Sequence, residues 1–199
     1  MPPRTPPPRA WQRMLSGRRL DLLDPSPLDI EISDIAHGLA RVARWNGQTF
    51  GNHAFSVAQH CLLVEQIVGQ LKPRLARPLR LAALLHDAPE YVIGDLISPF
   101  KAAVGIDYKD LELKLLAAIH IRFGIPAIPG KEALAVIKRG DTIAAFYEAT
   151  QLAGFDLSEA RHYFGIPPRN LRAPKLVPLA TAEAQAQFLA RFHQLAPSQ

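Results

Sequence analysis

From residue 33 onward, apolar residues recur at three- and four-residue spacing, the period of amphipathic helices. Ser33 is a candidate N-cap for DIAHGLARVARW, with Ile35, Leu39 and Val42 on one face and Gly47 closing the unit. Asn52 or Ser56 opens a second helix that carries Val57, His60, Val64 and Ile67. Pro78 suits the first helical position of LRLAALLHDAPEY, read as one helix. Ser98-Pro99 starts a short helix, and residues 107–122 form an amphipathic one stopped by Gly124 and Pro126. Residues 131–153 form a long helix ended by Gly154, with Asp141 in its middle, and a last helix covers about 181–195. No long alternating run and no internal repeat occurs. The pattern predicts an all-α bundle of about five to seven helices.

The first 30 residues differ. Residues 1 to about 10 are rich in Pro and Arg and are expected to be disordered or extended. Residues 11–30 read as an irregular lead-in with at most one short strand pair. The expected division is therefore a tail and lead-in over 1–30 and one helical domain over 31–199.

Composition narrows the function classes. Of 199 residues, 48% are hydrophobic and 21% charged, enough apolar material for a sizeable core. The net charge of +5 would attract phosphates, but part of it sits in the N-terminal tail and at Arg161, Arg169, Arg172 and Lys175. No aromatic residues interleave with a basic strand, so nucleic acid is not the expected partner. No stretch of about 18 apolar residues exists, and the N-terminus has no apolar core of a secretory signal, so no membrane association is expected. One cysteine, Cys61, inside an apolar run, reads as a packing residue in a reducing, cytoplasmic setting.

Chemistry enters where polar groups interrupt core-type helix faces: His60 in FSVAQHCLLV, His86-Asp87 in LAALLHDAPEY, and Asp141 in KRGDTIAAFYEA. Buried carboxylates are costly unless paired or bound to a metal. Two imidazoles and two carboxylates balance a divalent cation and leave positions for water and a substrate oxygen. One shared divalent ion, of a kind the sequence does not fix among Co, Mn, Zn, Fe, Ni and Mg, explains all four. At +4 from His86 on a helix, Glu90 shares its face and can handle a water proton. Asp95 follows Gly94, where the helix breaks, and can turn toward the same site.

The order His, His-Asp, Asp resembles the HD superfamily of metal-dependent phosphohydrolases, and most of all the bacterial 5′-deoxynucleotidases and related deoxynucleotide hydrolases. The likeness runs from about residue 33 to 153 and is strongest over HDAPEYVIGDLISPFK, residues 86–101. It implies a helical fold, metal ligation by His60, His86, Asp87 and Asp141, catalysis by Glu90 and Asp95, and a homodimer. Which carboxylate is base and which is acid stays open. The resemblance further implies that Arg44 binds phosphate, that Trp45 packs near the sugar, and that Ser98 and Lys101 touch the substrate. His37 and His53 have no assigned role.

The reading is thus a nucleotide phosphohydrolase, in its sharper form a 5′-deoxynucleotidase acting on monophosphates. A deoxynucleoside triphosphate triphosphohydrolase is the close alternative, because both attack phosphorus with activated water; Arg44, Lys101, Lys138 and Arg139 are the cations available for a longer phosphate chain. An alarmone hydrolase is disfavoured by Tyr91, where such enzymes carry an acidic residue. A non-catalytic metal or nucleotide sensor is disfavoured by the presence of both Glu90 and Asp95.

Overall fold

The computed structural model describes residues 10–95 and 107–197. Among these, eight α-helices and one two-stranded hairpin form the chain, which confirms the all-α reading. The hairpin pairs β1 (Trp11–Arg13) with β2 (Arg19–Asp21) antiparallel, Gln12 opposite Leu20. It is tied to the helical body: Ser16 donates from its amide and hydroxyl to buried Asp34, at 3.0 and 2.5 Å, and Met14, Leu20 and Ile30 join the main core.

Helix α1 (Ile32–Leu39) leads, through a bridge between Ala43 and Ser56, into α2 (Val57–Leu71). Ser56, one of the two expected caps, accepts from the Gln59 amide and starts α2. Helix α2 is buried nearly all round, as a helix apolar on every side must be. It packs against α3 (Arg77–Leu84), α6 (Lys131–Gln151) and α8 (Thr181–Leu195). Cys61 is buried within it, a packing residue as expected.

Two contacts set the spacing of these layers. At Gly140 on α6 a Cβ would stand 2.7 Å from Val68 Cγ2 of α2, so the absent side chain lets the helices approach closely. At Gly38 on α1 it would stand 2.8 Å from the Tyr91 carbonyl oxygen, admitting the backbone of α4 (Glu90–Ile93).

The helix expected across LRLAALLHDAPEY is broken. Helix α3 ends at Leu84, and α4 begins only at Glu90. Pro89 is the reason: it has no amide to donate to Leu85, and its ring crowds that carbonyl. The Leu85 carbonyl instead accepts from Ala88, and that of Asp87 from Glu90, both at 3.0 Å, giving tighter i to i+3 turns. Helix α5 (Asp107–Arg122) buries Leu115, Ala118, Ile119 and His120 on one side. Helix α7 (Leu157–Phe164), not expected from periodicity, carries a capping box of Asp156 and Glu159. These two differences raise the count above the five to seven expected. The segment between α7 and α8 is extended and held by glutamine amides: Gln59 donates to Val177 and accepts from Leu179, and Gln151 does the same for Pro174 and Leu176.

Candidate metal centre

Three structural elements converge on one point. Helix α2 delivers His60, α6 delivers Asp141, and the turns after α3 deliver His86 and Asp87. Ligand atoms of His60, His86 and Asp141 lie within 4.8 Å of one another. Asp87 Oδ2 is 3.3 Å from Nε2 of each histidine, and Asp141 Oδ1 is 3.4 Å from His60 Nε2. All four residues expected to gather therefore do so.

The hydrogen bonds on the far side of each ring decide which nitrogen faces inward. His60 Nδ1 is 2.5 Å from a Glu148 carboxylate oxygen, and His86 Nδ1 is 2.9 Å from the Ala83 carbonyl. Both partners only accept, so each Nδ1 carries a hydrogen and donates it. In the neutral ring each Nε2 is then the lone pair turned to the carboxylates, and both are buried without a hydrogen-bond partner. Two orphaned nitrogens aimed at two carboxylates fit a divalent cation, with outer partners orienting the rings.

Electrostatics agree. Burial acts to lower the His86 pKa, but Asp87 pushes it up to about 10. For His60, burial and Arg44 act downward, yet Glu148, Asp141 and Asp87 raise it well above the usual range. Against burial, the histidines hold Asp87 and Asp141 below the ordinary carboxylate range. The cluster thus calls for positive charge, which protons or a metal can supply.

Glu148 joins the site without having been expected there. It lies seven residues after Asp141, two turns along the same face of α6, and is fully buried. Beyond His60 it accepts from Trp45 Nε1 at 2.9 Å and from Arg44 Nε at 3.3 Å. A polar residue two turns from a ligand, inside the apolar run IAAFYEA, is the signal the sequence holds for it.

Arg44 and Trp45 stand at the edge of the centre. Arg44 Nη1 also pairs with Asp95 at 2.8 Å, and its charge is held firmly against burial by Glu148 and Asp95, with Asp87 and Glu90 adding to them. Gly94 turns the chain at φ 76° and so places Asp95 on this arginine. Trp45 packs on Phe155 and Phe164, with ring centroids 5.5 and 6.1 Å away. Trp45 and Asn46 are both left-handed, at φ 55° and 50°. Such strain costs roughly 1–2 kcal/mol per residue and collects where surrounding contacts fix a functional loop. Glu90 is buried at the head of α4, its amide bonded to the Asp87 carbonyl. Lys138 reaches Asp141 at 2.8 Å from an exposed position, and His53 is exposed. Ser98 and Lys101, and the short helix expected there, lie outside the described residues.

Residues 57–135 match the HD domain, a span that includes His60, His86, Asp87 and Glu90 and ends before Asp141. The chain carries an HD domain over this span. That domain implies a metal-dependent phosphohydrolase, and the convergent site is where a divalent ion fits. An uncharacterized protein of Rhodobacter capsulatus is 56% identical over 188 residues, covering 94% of this chain and 96% of the relative. The uncharacterized protein YfdR of Escherichia coli is 33% identical over 167 residues, covering 84% and 85%. Among the described residues no helix is long and apolar enough to cross a membrane.

Proposed function

We propose that this HD phosphohydrolase acts on nucleotides, as a 5′-deoxynucleotidase that releases phosphate from deoxynucleoside monophosphates. His60, His86, Asp87 and Asp141 hold the ion in this reading. The observation that carries it is the placement of Arg44, a largely buried guanidinium beside the metal centre and close enough to feel Asp87 and Glu90. A planar, permanently charged fork at that position suits a phosphate oxygen pair. When bound, a divalent ion lowers the pKa of water and polarises a phosphoryl oxygen. Glu90 takes the proton of the attacking water and passes it on toward the leaving oxygen, while Asp95, tied to Arg44, holds that guanidinium in place. Trp45 forms an apolar wall toward the sugar.

The triphosphohydrolase reading is favoured by one observation, the Lys138 ammonium on Asp141, a second cation at the rim. A cytoplasmic homodimer is the assembly that goes with either reading. The test is turnover of mono-, di- and triphosphates of deoxy- and ribonucleosides with Mn²⁺ or Co²⁺ added. Orthophosphate released fastest from deoxynucleoside monophosphates is the expected result. Release of triphosphate from deoxynucleoside triphosphates selects the alternative, and no turnover of any nucleotide overturns the substrate class.

A further inference from the structure

We propose that Glu148 is a positioning residue that serves two parts of the site with one carboxylate: it fixes the ring nitrogen that His60 presents to the metal, and it locks the loop that carries Arg44. The inference rests on the reading of His60 as a metal ligand.

The geometry divides the labour between the two oxygens. Oε1 accepts from His60 Nδ1, while Oε2 accepts from the Trp45 indole at 2.9 Å and the Arg44 guanidinium at 3.3 Å. Glu148 and His60 are fully buried, so water cannot replace a missing acceptor at Nδ1 at low cost. Without an acceptor at Nδ1, the His60 ring is no longer obliged to keep its hydrogen there. Moving it to Nε2 would point an N–H at Asp87 and Asp141, 3.3 and 3.4 Å away, and remove the lone pair that faces them. On the other arm, the indole bond and the Phe155 and Phe164 contacts hold Trp45 in its left-handed conformation, and Arg44 precedes it directly.

Glu148→Gln separates positioning from packing, because it keeps the shape and exchanges one acceptor for a donor. If the amide oxygen stays on the indole, the amide nitrogen faces His60 Nδ1, and two donors meet. The expected result is Zn²⁺ binding 10- to 100-fold weaker than wild type by competition with a chromophoric chelator, the range for outer-sphere partners of metal-binding histidines. Trp45→Phe, which removes only the indole donor, is expected to bind Zn²⁺ with unchanged affinity. A measurement on wild type needs no variant: in Zn²⁺-loaded, ¹⁵N-histidine-labelled protein, His60 is expected to show a proton on Nδ1 and none on Nε2. Wild-type Zn²⁺ affinity in Glu148→Gln, or a His60 proton on Nε2 in the loaded wild type, overturns the proposal. His60→Ala tells the two readings apart. If that variant binds Zn²⁺ normally, the ligand assignment fails and the proposal with it; if it loses Zn²⁺ while Glu148→Gln does not, only the role of Glu148 fails.

Discussion

The two halves of the metal centre are built by different means. One half, His60 with Asp141 and Glu148, stands on the bodies of α2 and α6, where regular backbone and a close helix crossing at Gly140 fix every Cα. The other half, His86 and Asp87 with Glu90 and Asp95, rides on 85–95, where tight turns, a four-residue helix and a left-handed glycine replace a continuous helix. The helical half is held by packing. The turn half is held by polar contacts, namely His86 on the Ala83 carbonyl and Asp95 on Arg44, and by the notch at Gly38 that seats the Tyr91 backbone. The difference suits the work proposed for each: orientation of ligands needs rigid rows, whereas four functional groups within ten residues need a chain that turns.

Loss of a turn-borne ligand should have the largest effect. Asp87→Ala removes the oxygen shared between both Nε2 atoms, so metal per chain by elemental analysis is expected to fall to near zero, with turnover lost. Equal metal content in variant and wild type would break the assignment. The same cluster sets a pH dependence. His86 without metal titrates at about 10, raised by Asp87 against burial, whereas a metal takes the neutral ring. A raised pKa in the free form means protons compete, so metal affinity should rise with pH up to about 10 and fall on acidification. Proton release detected in weakly buffered solution on adding Zn²⁺ at pH 7 checks the sign.

Next comes the group placed for proton transfer. Glu90→Ala should retain metal and melting behaviour while kcat falls by about 10²–10⁴-fold, the usual range for a general acid–base residue. Near-normal kcat would move the role to Asp95. A smaller effect is expected at the loop, on the reading that Trp45 faces the sugar. An indole wall cannot pair with a 2′-hydroxyl, which is worth roughly 1–3 kcal/mol against a ribonucleotide, or about one to two decades in kcat/KM. Trp45→Ala should narrow the gap between dAMP and AMP, and Arg44→Ala should lower both together. Equal wild-type rates on the two sugars would sink this assignment.

Sequence legibility follows the same divide. His60 and Asp141 stand out because each interrupts an apolar face of a regular helix, and the His86-Asp87 doublet stands out for the same reason. The course of the backbone at the doublet does not, since LAALLHDAPEY has helical spacing throughout, and the effect of Pro89 on the Leu85 carbonyl is a matter of geometry rather than period. Glu148 escapes notice because one glutamate in a long helix ordinarily reads as a solvated charge; only the fold shows its face turned to His60. The left-handed conformation of Trp45 has no sequence signal, unlike that of Asn46, a residue type that visits this region readily, because the contacts that hold Trp45 come from α6, α7 and the loop before it.

The smallest expected effect is also the most direct comparison of the two halves. Gly140 and Gly38 both sit in or beside crowded contacts, and a methyl group at either is too close to its neighbour, at 2.7 Å in each case. What it meets differs. At Gly140 the first atom is the tip of the Val68 side chain, which can move, and alanine in a helix interior recovers up to about 1 kcal/mol of helix propensity. At Gly38 the Cβ meets the Cβ, the carbonyl oxygen at 2.8 Å and the Cα at 3.0 Å of Tyr91, all parts of the main chain or fixed to it. Relief there requires α4 to shift away from α1, and Glu90 precedes Tyr91 directly. Gly140→Ala should therefore change stability by less than about 1 kcal/mol, while Gly38→Ala should cost about 1–3 kcal/mol, the range for overpacking a core. Gly38→Ala should also lower kcat by displacing Glu90, which no metal ligand precedes or follows directly in the chain. Denaturant unfolding and metal-saturated kinetics of the two variants side by side decide the matter. A larger loss of stability and kcat in Gly140→Ala would show that the helical half, not the turn half, sets the position of the catalytic carboxylate.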